Sequence, residues 1–125
     1  MATDRTIEQF ISDSFSSIWD LELLAVVMEA ETHSMSAAEL ETQMRGSQLV
    51  VEQGMRALSA AGLVSFDGPD RIRFSPVNET VARRAREAVD FYRRFPGRVR
   101  RLMISRQAPG LSAFADAFRL RKDGE

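Results

Sequence analysis

SAAELETQMRGSQLVVEQGMRALSAAGLVSF, residues 36–66, decides the fold of this chain. Its first four residues, Ser36-Ala37-Ala38-Glu39, have the spacing of a capping box, in which serine and glutamate each satisfy an orphan amide at a helix start. The short helix opened there runs to about Met44. Arg45-Gly46-Ser47 then reads as a tight turn, with Gly46 in the left-handed conformation and Ser47 capping the next helix. The spacing predicts that this second helix runs from Gln48 to Ala61. Val51, Met55 and Leu58 fall on one side of it, Gly54 admits a close neighbour, and Gly62 ends it.

On the C-terminal side, Leu63-Val64-Ser65-Phe66 and Arg71-Ile72-Arg73-Phe74 both alternate. Asp67-Gly68-Pro69-Asp70 between them is turn chemistry. The expectation is a β-hairpin with Ile72 and Phe74 facing in and Arg71 and Arg73 facing out. Beyond it, Asn78 caps a predicted helix from Glu79 to Phe95. Its narrow apolar seam is Val81, Ala85, Ala88, Tyr92 and Phe95. Pro96-Gly97 ends that helix, and another short one is predicted from Arg98 to Arg106. Pro109-Gly110 breaks the chain again, and Ser112 caps a last helix with Leu111, Phe114 and Phe118 on one ridge.

On the N-terminal side, residues 5–31 are helical in pattern. Ile7, Phe10, Ile11, Phe15 and Ile18 recur at helical spacing, then Trp19, Leu23, Val26, Val27 and Ala30. A break is expected where Ser16-Ser17 can cap a second helix near Trp19. Residues 29–35 form a polar connection that holds the single histidine, His33.

Helix, helix, tight turn, helix, hairpin is the order of a winged helix-turn-helix domain. Residues 36–66 resemble the core of small bacterial winged-helix regulators in three respects: the capped short helix with its Gly-Ser turn, the V-x-x-x-M-x-x-L helix, and the run A-A-G-L-V. SIWDLELLAVV resembles the first core helix of those families, so the likeness spans about residues 16–75. The fold class this implies is mainly α with a small β-hairpin. A winged helix-turn-helix core over 19–76 would carry helical extensions over 1–18 and 77–125.

The function that the resemblance implies is transcriptional regulation through duplex DNA, with the third core helix in the major groove. In that mode Gln48, Leu49, Gln53 and Arg56 read bases. Arg56 suits a guanine edge, Gln53 an adenine edge and Leu49 a thymine methyl, while Glu52 would accept from a cytosine amine. Ser47, Arg45, Arg71 and Arg73 would hold phosphates. The alternative is a protein-interaction module on the same fold, since folds host many functions.

Composition sets the remaining bounds. With 125 residues, 44% apolar and 28% charged, the chain suits one globular unit with a real core. No apolar run approaches the roughly 20 residues of a membrane span. MATDRTIEQF lacks the layout of a secretory signal, and the absence of cysteine excludes disulfides, so a cytoplasmic address is expected. His33 stands alone, and no metal-binding, phosphate-loop or catalytic pattern occurs. No enzyme activity, metal or cofactor is therefore expected.

Charge is split along the chain. Up to Ala60 there are ten acids against three bases, a net of −7, and the remainder carries +6. Nine arginines lie between Arg83 and Arg106. Three readings fit them: a solvated face with internal ion pairs, a phosphate-contacting surface, or docking against the acidic half of the same or another protomer. The seam of the helix from Glu79 is either a dimer interface or the face that packs on the first helices. A homodimer through residues 5–18 and 79–118 is the expectation, with a protein partner for the arginine-rich helices as another option.

Overall fold

The computed structural model describes residues 3–30 and 33–107. Over these residues the chain is mainly helical with a small antiparallel sheet. Its elements are α1 (Asp4–Ser14), α2 (Ile18–Glu29), β1 (Met35–Ser36), α3 (Ala37–Met44), α4 (Gln48–Ala60), β2 (Val64–Phe66), β3 (Arg71–Phe74), α5 (Glu79–Arg94) and α6 (Pro96–Gln107). The last helix expected around Ser112, Phe114 and Phe118 lies outside the described residues.

The expected break between the first two helices is present. Ser17 caps α2 by accepting from the Asp20 amide, and Asp20 reaches back to accept from the Ser16 amide at 3.1 Å and its hydroxyl at 2.6 Å. Those two bonds explain how a carboxylate is tolerated at 5% exposure. Helix α2 is the central element. Leu21, Leu23, Leu24 and Val27 are buried, with Ala25, Val26 and Met28 partly covered. It packs against α3, α4, α5 and β3.

Gly54 sets the approach of α4 to α2. A Cβ at this position would stand 2.8 Å from Leu23 Cδ2 and 3.3 Å from Asp20 Oδ1, closer than a carbon can sit without displacing its neighbours. Val51, Met55 and Leu58 bury on the same side, as the spacing predicts. Gly62 has φ +77 at the end of α4, which glycine adopts without penalty.

The turn before α4 differs from expectation. Arg45, not Gly46, is the left-handed residue, with φ 55 and ψ 36. Helix α3 ends at Met44, so the position after the last helical residue, where a left-handed conformation closes the turn, falls on Arg45. A Cβ at position 46 would meet the Trp19 ring at 3.5 Å, an ordinary contact, so neither conformation nor crowding demands glycine there.

The sheet has three strands in the order β1-β3-β2, one more than the predicted hairpin. Met35, expected in a polar connection, pairs with Ile72, and Ser36 with Arg71. Register places Val64 opposite Phe74, Ser65 opposite Arg73 and Phe66 opposite Ile72. Cross-strand partners share a face. Ile72, Met35 and Val64 therefore look into the core, while Arg71, Arg73, Ser36 and Ser65 form the outer face.

The buried face of α5 is broader than the predicted seam. Ala82, Ala85, Ala88, Val89, Phe91 and Tyr92 are buried, whereas Val81 is half-covered and Phe95, beyond the helix end, is 41% exposed. This face packs on α1 and α2, where Ile7, Ile11 and Phe15 are buried, so it is consumed within the chain. Pro96 begins α6 directly, at a first-turn position where its missing N–H costs nothing.

The acidic and basic halves of the sequence meet across these helices. Arg98 grips Glu8 with Nη2 at 2.9 Å and Nε at 3.2 Å, touches Asp4 at 3.4 Å, and lies over the Phe91 ring. Arg93 pairs with Glu29 at 2.9 Å, and Tyr92 donates to Glu22 at 2.6 Å. Exposed pairs contribute about 0–1 kcal/mol each, so their role is orientation rather than strength.

Gly54→Ala is expected to lower stability by about 1–2 kcal/mol, because overpacking outweighs the helix-propensity gain. Gly46→Ala should stay within about 0.5 kcal/mol of the parent. Denaturant midpoints of the two variants check this contrast. Burial and then the bond to Glu22 push the Tyr92 hydroxyl above its ordinary value of 10.0. A raised phenol stabilises fully below the ordinary tyrosine range and loses that contribution as pH rises through the folded value. Phenolate absorbance of this single tyrosine should therefore titrate late, and Glu22→Gln should bring it part of the way back, burial remaining.

Candidate nucleic-acid interface

The start of α3 is held by both halves of the predicted capping box. The Glu39 amide donates to Ser36 Oγ at 3.1 Å, and the Ser36 amide donates to Glu39 Oε1 at 2.9 Å. At the start of α4, Ser47 Oγ accepts from the Val50 amide at 3.2 Å, leaving its hydroxyl hydrogen free to donate outward. With Val51, Gly54, Met55 and Leu58 fixed inward, the opposite side of α4 is forced out. Leu49, Gln53, Arg56 and Ala60 are all exposed at alternating steps of four and three, a single stripe along the helix. Leu49 is 61% exposed.

The residues named from sequence divide into two groups. Arg45, Ser47, Leu49, Gln53 and Arg56 share one surface that runs from the turn along the stripe. Among the described residues Arg45, Arg56 and Arg73 make no ion pair. Gln48 is engaged otherwise: its amide donates to Glu52 Oε1 at 3.0 Å, one turn along α4. Arg71 is held by the loop before β1. It donates to Ser34 Oγ at 3.2 Å and to the Ser34 carbonyl at 3.4 Å, and pairs with Glu39 at 3.5 Å. Its guanidinium ties β3 to α3, while Arg73, across from Ser65, is exposed and unpaired among the described residues.

Between α4 and the hairpin lies a cleft of about 160 Å³ lined by Ala37, Glu52, Met55, Arg56, Phe66, Pro69 and Asp70. Phe66 is 40% exposed at its rim. Arg56 thus shares this cleft with two carboxylates, Glu52 and Asp70. Over residues 36–74 five acids (Glu39, Glu41, Glu52, Asp67, Asp70) face four arginines (Arg45, Arg56, Arg71, Arg73), a net charge of −1. Glu52 was expected to oppose these arginines; its bond with Gln48 and the placing of Asp70 in the cleft were not anticipated. The four-residue step from Gln48 to Glu52 is the signal that would have found the first.

His33 is exposed, with Nδ1 3.3 Å from the Ala30 carbonyl. Among the described residues there is no group of three or more histidines, cysteines or carboxylates able to hold a metal. No helix among them is long and apolar enough to cross a membrane. No family model, curated protein or solved structure matches this chain.

Hydrogen bonds from the Ser36 amide and hydroxyl, with a smaller contribution from Arg71, hold the Glu39 carboxyl below its ordinary value of 4.5. A depressed carboxylate adds stability above its unfolded value and loses it as pH falls through the lowered folded value. The thermal midpoint should therefore drop in acid more steeply for the parent than for Glu39→Gln, the two converging once Glu39 is protonated.

Proposed function

We propose that the segment from α2 to β3 is a winged helix-turn-helix and that α4 enters the major groove of duplex DNA, in a dimeric, cytoplasmic transcriptional regulator. One observation carries the reading: the Leu49, Gln53, Arg56, Ala60 stripe is the exposed side of α4, flanked by an exposed turn and a two-stranded hairpin. Two features of the stripe match groove chemistry. Arg56 and Gln53 carry the donors that read guanine and adenine edges, and Leu49 is the apolar contact for a thymine methyl. Phosphates fall to Arg45, Ser47 and Arg73.

The cation count requires two protomers. Tight complexes neutralise on the order of 6–10 phosphates. Arg71 is committed to Ser34 and Glu39, which leaves three unpaired arginines beside the groove face, Arg45, Arg56 and Arg73. With Arg56 on a base edge, a dimer places four arginines on phosphates, Arg45 and Arg73 of each protomer, so its affinity is expected to fall below that of those complexes. The dimer contact must use surfaces other than the apolar face of α5, which α1 and α2 already cover.

A second reading, a protein-interaction module, is favoured by the net charge of −1 over residues 36–74 and by exposed Leu49 and Phe66. One experiment separates the two: affinity for random duplex DNA as a function of salt. The DNA reading predicts a log–log slope of about −4, from about 0.9 per phosphate over four contacts. Arg73→Ala should weaken all duplexes alike and flatten the slope by about one unit per protomer, whereas Arg56→Ala should relax preference at one half-site base. Absence of binding at about 50 mM salt assigns the stripe to a protein partner.

A further inference from the structure

The cleft between α4 and the β2–β3 hairpin holds groups for which the DNA reading has no use. Its volume, about 160 Å³, lies below the roughly 300–1,000 Å³ of sites that enclose a whole small molecule. It has the scale of a single inserted side chain. Ala37 and Met55, both buried, give it apolar surface. Phe66 adds an aromatic ring. It pairs with the fully buried Ile72, yet is itself 40% exposed where β2 ends.

Two carboxylates share this cleft. Glu52 is half-buried and accepts the Gln48 amide at 3.0 Å, which occupies one of its several acceptor sites. Asp70 is exposed. Its backbone carbonyl accepts from the Ala37 amide at 2.8 Å, while its carboxylate has no partner among the described residues. Arg56 lines the same cleft and, among the described residues, ion-pairs with neither acid. Two acids against one exposed cation leave the lining with a net charge of −1.

These features select the guest. An anion meets repulsion from both carboxylates. A neutral apolar side chain would cover them without offering a donor, which costs desolvation with no return. An arginine suits every part of the lining. Its methylenes lie against Ala37 and Met55, its planar face stacks on Phe66, and its fork of donors reaches the carboxylates.

We propose that this cleft is a socket for one arginine side chain of a protein partner, the guanidinium held by Glu52 and Asp70 against the Phe66 ring. The inference stands apart from the DNA reading, since it uses the acids rather than the arginines of the same face. Arg56 has opposite parts in the two: it reads a base edge in one and repels the guest in the other.

The probe is N-acetyl-arginine amide, titrated into the full chain and followed by the chemical shifts of the Met55 methyl and the Phe66 ring. Both should move saturably, with a dissociation constant in the millimolar range. N-acetyl-citrulline amide has the same shape without the charge and should give no saturable shift. Glu52→Gln and Asp70→Asn keep the side-chain shape, and glutamine keeps an acceptor for Gln48, so neither disturbs the fold. Each should weaken the arginine probe roughly two- to fivefold. Arg56→Ala should tighten it about twofold, whereas on the DNA reading the same variant relaxes base preference.

Shifts that fail to saturate, that citrulline reproduces, or that both acid variants leave unchanged overturn the socket. Any of these together with duplex binding at low salt leaves the DNA reading standing alone. Saturable arginine binding by a chain that binds no duplex upholds the socket and removes the DNA reading.

Discussion

Helix α4 meets α2 at a point where there is room for a hydrogen and not for a carbon. A Cβ at Gly54 would stand 2.8 Å from a Leu23 methyl, so the bare glycine permits the close approach of the two helices. What α4 exposes follows from the side it buries there. Val51, Met55 and Leu58 are driven inward, so Leu49, Gln53 and Arg56 have only the solvent side left. The turn before α4 also lies close to α2, where a Cβ on Gly46 would stand 3.5 Å from the Trp19 ring. A helix surface that reads a ligand is in this sense chosen by what the helix buries, not by the residues that do the reading.

Charge adds direction without adding much strength. The sequence has an acidic first half and a basic second half, and the fold brings them together through Arg98 with Glu8 and Asp4, Arg93 with Glu29, and Tyr92 with Glu22. All are at least partly solvated, so each is worth little alone. The charge beside α4 is set locally instead: over residues 36–74 five acids offset four arginines, which is why the proposed DNA contact depends on a second protomer rather than on one strongly basic surface.

Features written within one helical turn were legible in the sequence. The Ser36–Glu39 box, the Ser47 and Asn78 caps and the Ser17 start of α2 depend only on neighbours three residues away, and each is in place. The inward set of α4 was legible because one face of it is plainly apolar. The turn was legible as a turn, but not the assignment of its left-handed residue, since shifting the end of α3 by one position moves that burden from Gly46 to Arg45. Strand β1 was invisible because two residues show no alternation, and its partner lies in β3, far along the chain. The state of the candidate site was the least legible part. Arg71 looks like a free cation until the fold sets Ser34, 37 residues away, against its guanidinium. Phe91 escapes a seam drawn at steps of four and three, because α5 buries a broader face than that spacing marks.

Val77, two residues before α5, ties two distant parts of the molecule into one joint. The Val77 amide bonds the Gly62 carbonyl at 2.9 Å, and the Val77 side chain occupies the space a Cβ on Gly62 would need. The lead-in to α5 is thereby seated on the tail of α4. A displacement at the start of α5 would therefore be felt at the end of α4, so whatever holds the C-terminal helices also bears on the exposed stripe.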